Sequence, residues 1–122
     1  MRFLAAAALA FLALSAPPAA AVPAAPAVRV PLLKGGEIFD SRALIGKKVL
    51  VLRFQASWCK ACAAQAAGLQ RVYDRYKGRG VEFLAIHVDD TEPDARAFLE
   101  AHHATYDAAL DPSLRVATRF GF

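Results

Sequence analysis

Two apolar runs separated by one helix-length segment set the architecture of this chain. Residues 49–54 read Val-Leu-Val-Leu-Arg-Phe, and residues 81–88 read Val-Glu-Phe-Leu-Ala-Ile-His-Val. Both are apolar on both faces, the pattern of strands in the middle of a sheet covered by helices on either side. Between them Leu69, Val72, Tyr73 and Tyr76 recur at helical spacing, which predicts a helix over residues 60–77 with one buried stripe. Gly68 is a weak point that can bend it, and Gly78 and Gly80 end it. A strand, a helix and a second strand in one sheet form a right-handed crossover with parallel strands. The fold class is therefore α/β.

The flanking segments extend this unit. Residues 28–33 form a candidate first strand, with Pro31 placing it at an edge or making it irregular. Gly35-Gly36 suits a tight hairpin turn that returns as Glu37-Ile38-Phe39. Asp40 or Ser41 then caps a single helical turn ending at Gly46. Beyond the second apolar run, Thr91 is a candidate N-cap and Pro93 suits a first helical turn. That helix is expected to reach about His103, with Ala95, Phe98, Leu99 and His102 on one face. Residues 107–110 suit a short strand, and Asp111-Pro112-Ser113 leads into a last helical turn over residues 114–119.

The beginning of the chain reads as an export signal. Arg2 is followed by an apolar stretch over residues 3–14, within the roughly 7–15 residues of a signal-peptide core and short for a membrane span. Pro17-Pro18 breaks it, and Ala19-Ala20-Ala21 offers a cleavage site with Val22 as the new N-terminus. The organisation expected is a signal peptide at 1–21, an extended and mobile Pro/Ala linker at 22–27, and one domain at 28–122. The location expected is the periplasm, the alternative being an uncleaved leader that anchors the domain to the inner membrane. Loss of Arg2 with the leader lowers the formal charge from +4 to +3, and the basic residues are scattered. That describes a solvated, mildly basic surface and argues against a nucleic-acid partner.

Cys59 and Cys62 are the only cysteines among 122 residues, three positions apart in Trp58-Cys59-Lys60-Ala61-Cys62. In an exported chain, where thiols tend to oxidise, a pair this close reads as a redox dithiol rather than a loop staple. Cys59 lies where strand gives way to helix. Free backbone N–H groups and the positive end of the helix dipole favour thiolate there and can lower a thiol from about 8.5 to roughly 3.5–7.5. Cys59 is thus the attacking sulfur, and Cys62, one turn further in, the resolving one. Lys60 adds a positive charge that stabilises the thiolate, unless it is an ordinary solvated residue. Trp58 either shields the sulfurs and offers a platform to a partner backbone or packs in the core.

Phe54-Gln55-Ala56-Ser57-Trp58-Cys59-Lys60-Ala61-Cys62 resembles the active-site segment of thioredoxin-like proteins. Gly46-Lys47-Lys48-Val49-Leu50-Val51-Leu52, together with the leader, is similar to the exported TlpA/ResA-like branch of periplasmic disulfide reductases. Asp89-Asp90-Thr91 before a helix, and Ala109-Leu110-Asp111-Pro112 before Val116-Ala117, fit the same branch. The resemblance spans roughly residues 28–122 and implies a thioredoxin-like central sheet flanked by helices. It implies thiol–disulfide exchange on protein substrates, often to keep apocytochrome c thiols or other periplasmic cysteines reduced. It also implies no bound cofactor and a membrane electron donor; a monomer is expected. An acidic residue in this branch can take the proton of the buried cysteine, a role open to Asp89 or Asp90; the competing reading makes Asp89, Asp90, Glu92 and Asp94 acids of a helix N-terminus.

The chain departs from that pattern in two ways. Family members usually carry a cis-proline shortly after the position of Arg119-Phe120-Gly121, whereas the last proline here is Pro112. The closing strand pair and last helix are expected to be missing as well, leaving an exposed sheet edge and pointing to a fragment of a longer product. Gln55 and Arg53 also stand where an aromatic residue and asparagine, respectively, are common. Two rival functions remain. One is copper or zinc binding on the same fold, with His87, His102 and His103 as further ligand candidates, although a structural zinc needs about four ligands. The other is a redox-inactive binding domain. Ala63 excludes covalent haem attachment, which needs His directly after the second cysteine, and Ala56 stands where a peroxiredoxin has Thr or Ser.

Overall fold

The computed structural model describes residues 16–122. The apolar core expected for the leader, residues 3–14, lies outside the described residues. Residues 16–27 have no regular structure and are mostly exposed. Among the described residues no helix is long and apolar enough to cross a membrane.

The regular elements begin with a hairpin, β1 (Arg29–Pro31) and β2 (Ile38–Asp40), paired antiparallel. Gly35 and Gly36 both take positive φ at its turn, a conformation that costs glycine nothing sterically. Asp40 caps a 3-10 turn, Ser41–Leu44, by accepting from the Arg42 amide. Then follow β3 (Val49–Gln55), α1 (Lys60–Tyr76), β4 (Val81–Val88), α2 (Glu92–Ala101), β5 (Asp107–Asp111) and α3 (Arg115–Arg119). Strands β3, β4 and β5 form a parallel sheet in the order β3-β4-β5. The hairpin touches this sheet through a bridge between Leu32 and Ala109 and a hydrogen bond from the Leu33 amide to the Ala108 carbonyl.

Strand β4 is the hub. Its side chains alternate between two cores because successive residues of a strand face opposite ways. Leu84 and Ile86 point to one side, where they pack with Val28, Val30, Ala109 and Val116. Phe83 and Ala85 point to the other, against Tyr106, Ala108, Leu69 and Tyr73 of α1, and Leu99 of α2. Helices α1 and α2 thus share one face, while the N-terminal segment and α3 cover the opposite one. A third, smaller cluster joins Cys62 and Ala66 of α1 to Phe98 of α2.

Two expectations need correction. The first concerns the buried stripe of α1, which runs through Cys62, Ala66, Leu69 and Tyr73. Val72 lies about 80° round the helix from Cys62 at 3.6 residues per turn. It is 46% exposed, and Tyr76, at the helix end, is exposed too. The sheet contacts the face that carries the second cysteine, so the stripe starts seven residues earlier than its most apolar stretch suggests. The second concerns β3, expected in the middle of a sheet. It takes an outer place, and its second edge has no strand partner among the described residues. Its side chains are accordingly half-buried, whereas β4 is buried along most of its length.

The last turn is tied to the sheet by one carboxylate. Asp111 is buried, and its two oxygens accept from the amides of Val116 at 3.1 Å and Ala117 at 2.9 Å, capping a helix too short to stabilise itself. Replacing Asp111 with Ala strands both buried N–H groups. We expect a loss of roughly 2–4 kcal/mol in urea unfolding, with Asp111→Asn recovering part of it.

Candidate active site at the first strand–helix junction

The chain leaves β3 at Gln55, turns through Ala56, Ser57 and Trp58, and enters α1 with Cys59 as its N-cap. Cys59 has extended backbone angles, φ −87° and ψ 106°, so it stands outside the helix while its sulfur faces the first turn. Its Sγ accepts the Cys62 amide at 3.2 Å. Any negative charge that forms on this sulfur meets an unpaired helix N–H and the positive dipole end. Cys59 and Cys62 are joined as a disulfide, with their Cα atoms 5.2 Å apart. The two sulfurs are not equivalent. Cys59 is half-buried, while Cys62 is 7% exposed and packs against Ala66 and Phe98.

Trp58 is 65% exposed, which removes the core-packing reading. Its indole Nε1 donates to the Asp89 carbonyl at 3.1 Å, holding the ring beside the cysteines. Asp89 enters the site through that carbonyl; it takes a positive φ of 46° at the sharp exit from β4. Lys60 is exposed at the first helical position.

Asp90 does not lie among the helix acids. Thr91 is the N-cap of α2, and Glu92 and Asp94 occupy its first turn. Asp90 instead turns back under the redox loop. Its Oδ2 accepts the Ser57 amide at 2.8 Å, and its Oδ1 accepts the Ser57 hydroxyl at 2.6 Å. Oδ1 also accepts the Thr91 amide at 3.1 Å, and Oδ2 lies 2.9 Å from His87 Nδ1. His87 is fully buried, and its Nε2 lies 2.9 Å from the amide nitrogen of Gln55. That amide donates to Nε2, so the imidazole proton sits on Nδ1 and is donated to Asp90. The chain Gln55 → His87 → Asp90 ← Ser57 is closed, with every member paired.

These contacts set the charges. Burial pushes His87 below the ordinary histidine range, outweighing its hydrogen bond to Asp90, and keeps the ring neutral near pH 7. Burial pushes Asp90 up, but the hydrogen bonds from Ser57 and His87 outweigh it and hold the carboxylate below its usual range. Asp90 therefore stays ionised beneath the loop.

The structure brings Trp58, Cys59, Cys62 and Asp90 together, with Lys60 at the rim. Ser57, Gln55 and His87 complete the site. A signal for the last two exists in the sequence: each is a polar residue at the C-terminal end of an apolar strand, and the register pairs Gln55 directly with His87. His102 and His103 lie beyond α2, remote from metal-binding geometry. Among the described residues no three His, Cys, Asp or Glu side chains converge as a metal site. A cavity of 710 Å³ lies on the opposite face, between Arg29, Asp111, Arg115 and Arg119, and includes neither cysteine. Of the redox pair, Cys59 is the sulfur that reaches the surface.

A mixed sheet-and-helix domain with a half-exposed cysteine at a helix N-cap and its partner one turn inside defines a thioredoxin-like protein. The chain belongs to the AhpC/TSA family, whose profile matches residues 23–122. It is similar to the thiol-disulfide oxidoreductase ResA of Bacillus cereus (strain ZK / E33L), 32% identical over 81 residues covering 66% of this chain and 46% of that one. ResA of Oceanobacillus iheyensis is 37% identical over 68 residues, covering 56% of this chain and 35% of that one. The chain spans about half the length of such relatives. Among solved structures, a putative thiol:disulfide interchange protein DsbE from Chlorobium tepidum matches with TM-score 0.71 and 28% identity, covering 80% of this chain and 67% of that one. A secreted disulfide oxidoreductase of Mycobacterium tuberculosis shares the fold, with TM-score 0.69 and 23% identity over 77% of this chain and 67% of its own.

The shifts at His87 and Asp90 fix a pH dependence. Unfolded histidine takes up its proton near pH 6.5, and folded His87 only at lower pH, so its contribution is complete above about 6.5 and is lost on acidification below that. Asp90 contributes fully above about 3.8, and that part is lost as the pH falls further. Thermal melts are expected to be flat from pH 8 to 7 and to fall steadily from 6.5 to 5. A melting temperature that rises over that second interval contradicts the assignment.

Proposed function

We propose that this chain is an exported thiol–disulfide oxidoreductase that reduces disulfides of periplasmic proteins through Cys59 and Cys62. The observation that carries the reading is the asymmetry of the pair, one sulfur at an open helix N-cap and the other enclosed one turn inside. In the reducing direction the Cys59 thiolate attacks one sulfur of a substrate disulfide. A mixed disulfide forms, and the substrate's other sulfur leaves as a thiolate that takes up a proton. Cys62 then gives up its proton and attacks Cys59 Sγ. The second substrate thiol is released, and the Cys59–Cys62 disulfide remains. Two electrons have passed to the substrate, and a membrane-bound dithiol donor returns the pair to its reduced form.

The remaining parts of the site fit this role. Trp58 offers an exposed aromatic face beside the sulfurs for a partner backbone, and Lys60 adds positive potential next to the Cys59 thiolate, screened by salt. The partial exposure of Cys59 suits protein substrates, with apocytochrome c thiols among the candidates. The same reading assigns residues 1–21 to a signal peptide, 22–27 to a linker and 28–122 to a monomeric redox domain.

Insulin-disulfide reduction by dithiothreitol is expected to be accelerated by the full chain and to fall to the uncatalysed rate in Cys59→Ser. Cys62→Ser is expected to accumulate a mixed disulfide on Cys59, visible as an adduct by intact-mass spectrometry. Equal rates in wild type and Cys59→Ser refute the assignment. In a bacterial host, the periplasmic fraction is expected to contain a form beginning at Val22. A product that retains Met1 in the membrane fraction points instead to an uncleaved anchor.

A further inference from the structure

The closed hydrogen-bond chain beneath the redox loop has a consequence for how Cys59 is presented. A carboxylate offers about four acceptor positions. In Asp90 four donors use them: the Ser57 amide, the Ser57 hydroxyl, the Thr91 amide and His87 Nδ1. Two of these donors belong to the turn that precedes Cys59, and a third starts α2. The His87 donor is the one supplied from within the sheet, at the strand position paired with Gln55. An ionised carboxylate in a dry site loses much of its stabilisation when one donor is removed.

We propose that His87 is a positioning residue for the redox pair: its Nδ1–H completes the donor set that keeps Asp90 clamped on Ser57, and the clamp holds Cys59 at the N-cap of α1. This rests on Cys59 being the reactive sulfur. It assigns Asp90 a part distinct from that of proton acceptor, since its acceptor positions are filled by Ser57, Thr91 and His87. The groups around His87 leave Asp90 as its charged hydrogen-bond partner. Gln55 from β3 is neutral, Leu110 is its register partner on β5, and Phe98 from α2 meets the imidazole edge-on with ring centroids 5.7 Å apart. His102 reaches the same Phe98 ring, at 4.5 Å. Phe98 also packs on Cys62, so His87 braces both halves of the pair: the loop before Cys59 through Asp90, and the wall behind Cys62 through Phe98.

The test uses the full chain, reduced, with Cys59 alkylation by iodoacetamide followed against pH and the labelled peptide identified by mass spectrometry. His87→Leu keeps the buried volume and removes the donor. His87→Asn keeps an N–H the same number of bonds from the backbone as Nδ1. In His87→Leu the clamp loosens, Cys59 leaves the N-cap, and the alkylation midpoint moves up. The midpoint is expected to rise by about half to one pH unit, so that at pH values well below it the rate falls by about threefold to tenfold, the change in thiolate fraction there. Exchange of the Ser57 amide is expected to speed up in parallel. His87→Asn is expected to stay within about twofold of wild type on the same scale.

Asp90→Asn, which preserves shape, carries the same expectation as His87→Leu and keeps the test intact should that variant not fold. An unchanged midpoint in variants that fold overturns the proposal, and so does an equal shift in His87→Asn and His87→Leu. A downward midpoint overturns it too. That direction is what the mere loss of a nearby negative charge produces while the turn stays in place. Neither readout needs turnover. If wild type fails to accelerate insulin reduction while these shifts still follow, the proposed activity fails and the positioning role stands.

Discussion

The parallel pairing of β3 with β4 is the constraint on which the rest of the molecule depends. Its register runs from Val49 opposite Val81 to Gln55 opposite His87, without a bulge or slip. Because a strand's side chains alternate, a slip of one residue in β4 would exchange its two cores and carry His87 to the far face, away from α1 and α2. In the observed register both strands end at the same level. The loop that carries Ser57, Trp58 and Cys59 therefore leaves the sheet beside the loop that carries Asp89 and Asp90. Each then holds the other: Trp58 donates to the Asp89 carbonyl, and Asp90 accepts from Ser57.

The chemistry follows from that adjacency. A helix N-terminus polarises a sulfur only if the sulfur stays at the cap, and a cysteine is a weak anchor for its own position. Much of the anchoring here is supplied by the buried carboxylate on the next loop. The arrangement resembles an ordinary cap displaced by one element, with a side chain from after β4 satisfying an amide that precedes α1. Burying a charge in this way is costly unless the charge is fully hydrogen-bonded. His87 and Ser57 meet that condition, and the neutral, oriented imidazole is the part furthest from solvent. The same logic recurs at smaller scale where Asp111 caps α3.

Much of this was legible beforehand, for identifiable reasons. The two long apolar runs and the helix between them announce a parallel α/β unit because each element has its own periodicity. The glycines of the first hairpin, the Thr91 cap and the C-x-x-C motif are local signals read within a few residues. The structure departs from these local signals where tertiary packing selects a face. In the sequence, the large apolar residues Leu69, Val72, Tyr73 and Tyr76 mark one stripe of α1. The buried face instead sets Leu69 and Tyr73 against the sheet and Cys62 and Ala66 against Phe98 of α2. Asp90 resembled one more acid at a helix start, because linear order places it next to Thr91, Glu92 and Asp94.

The amino-acid sequence alone determined the elements, their order, the parallel crossover and the identity of the two sulfurs, since each depends on residues near one another in the chain. Only the tertiary structure decided which partners surround those sulfurs. Ser57 and Asp90 are 33 positions apart, and Gln55 and His87 are 32. Their meeting depends on strand register, which local propensity leaves open and burial of both faces of β4 selects. The difference between Cys59 and Cys62 has the same origin. The motif names two thiols, and packing against Ala66 and Phe98 encloses one of them and leaves the other at the surface.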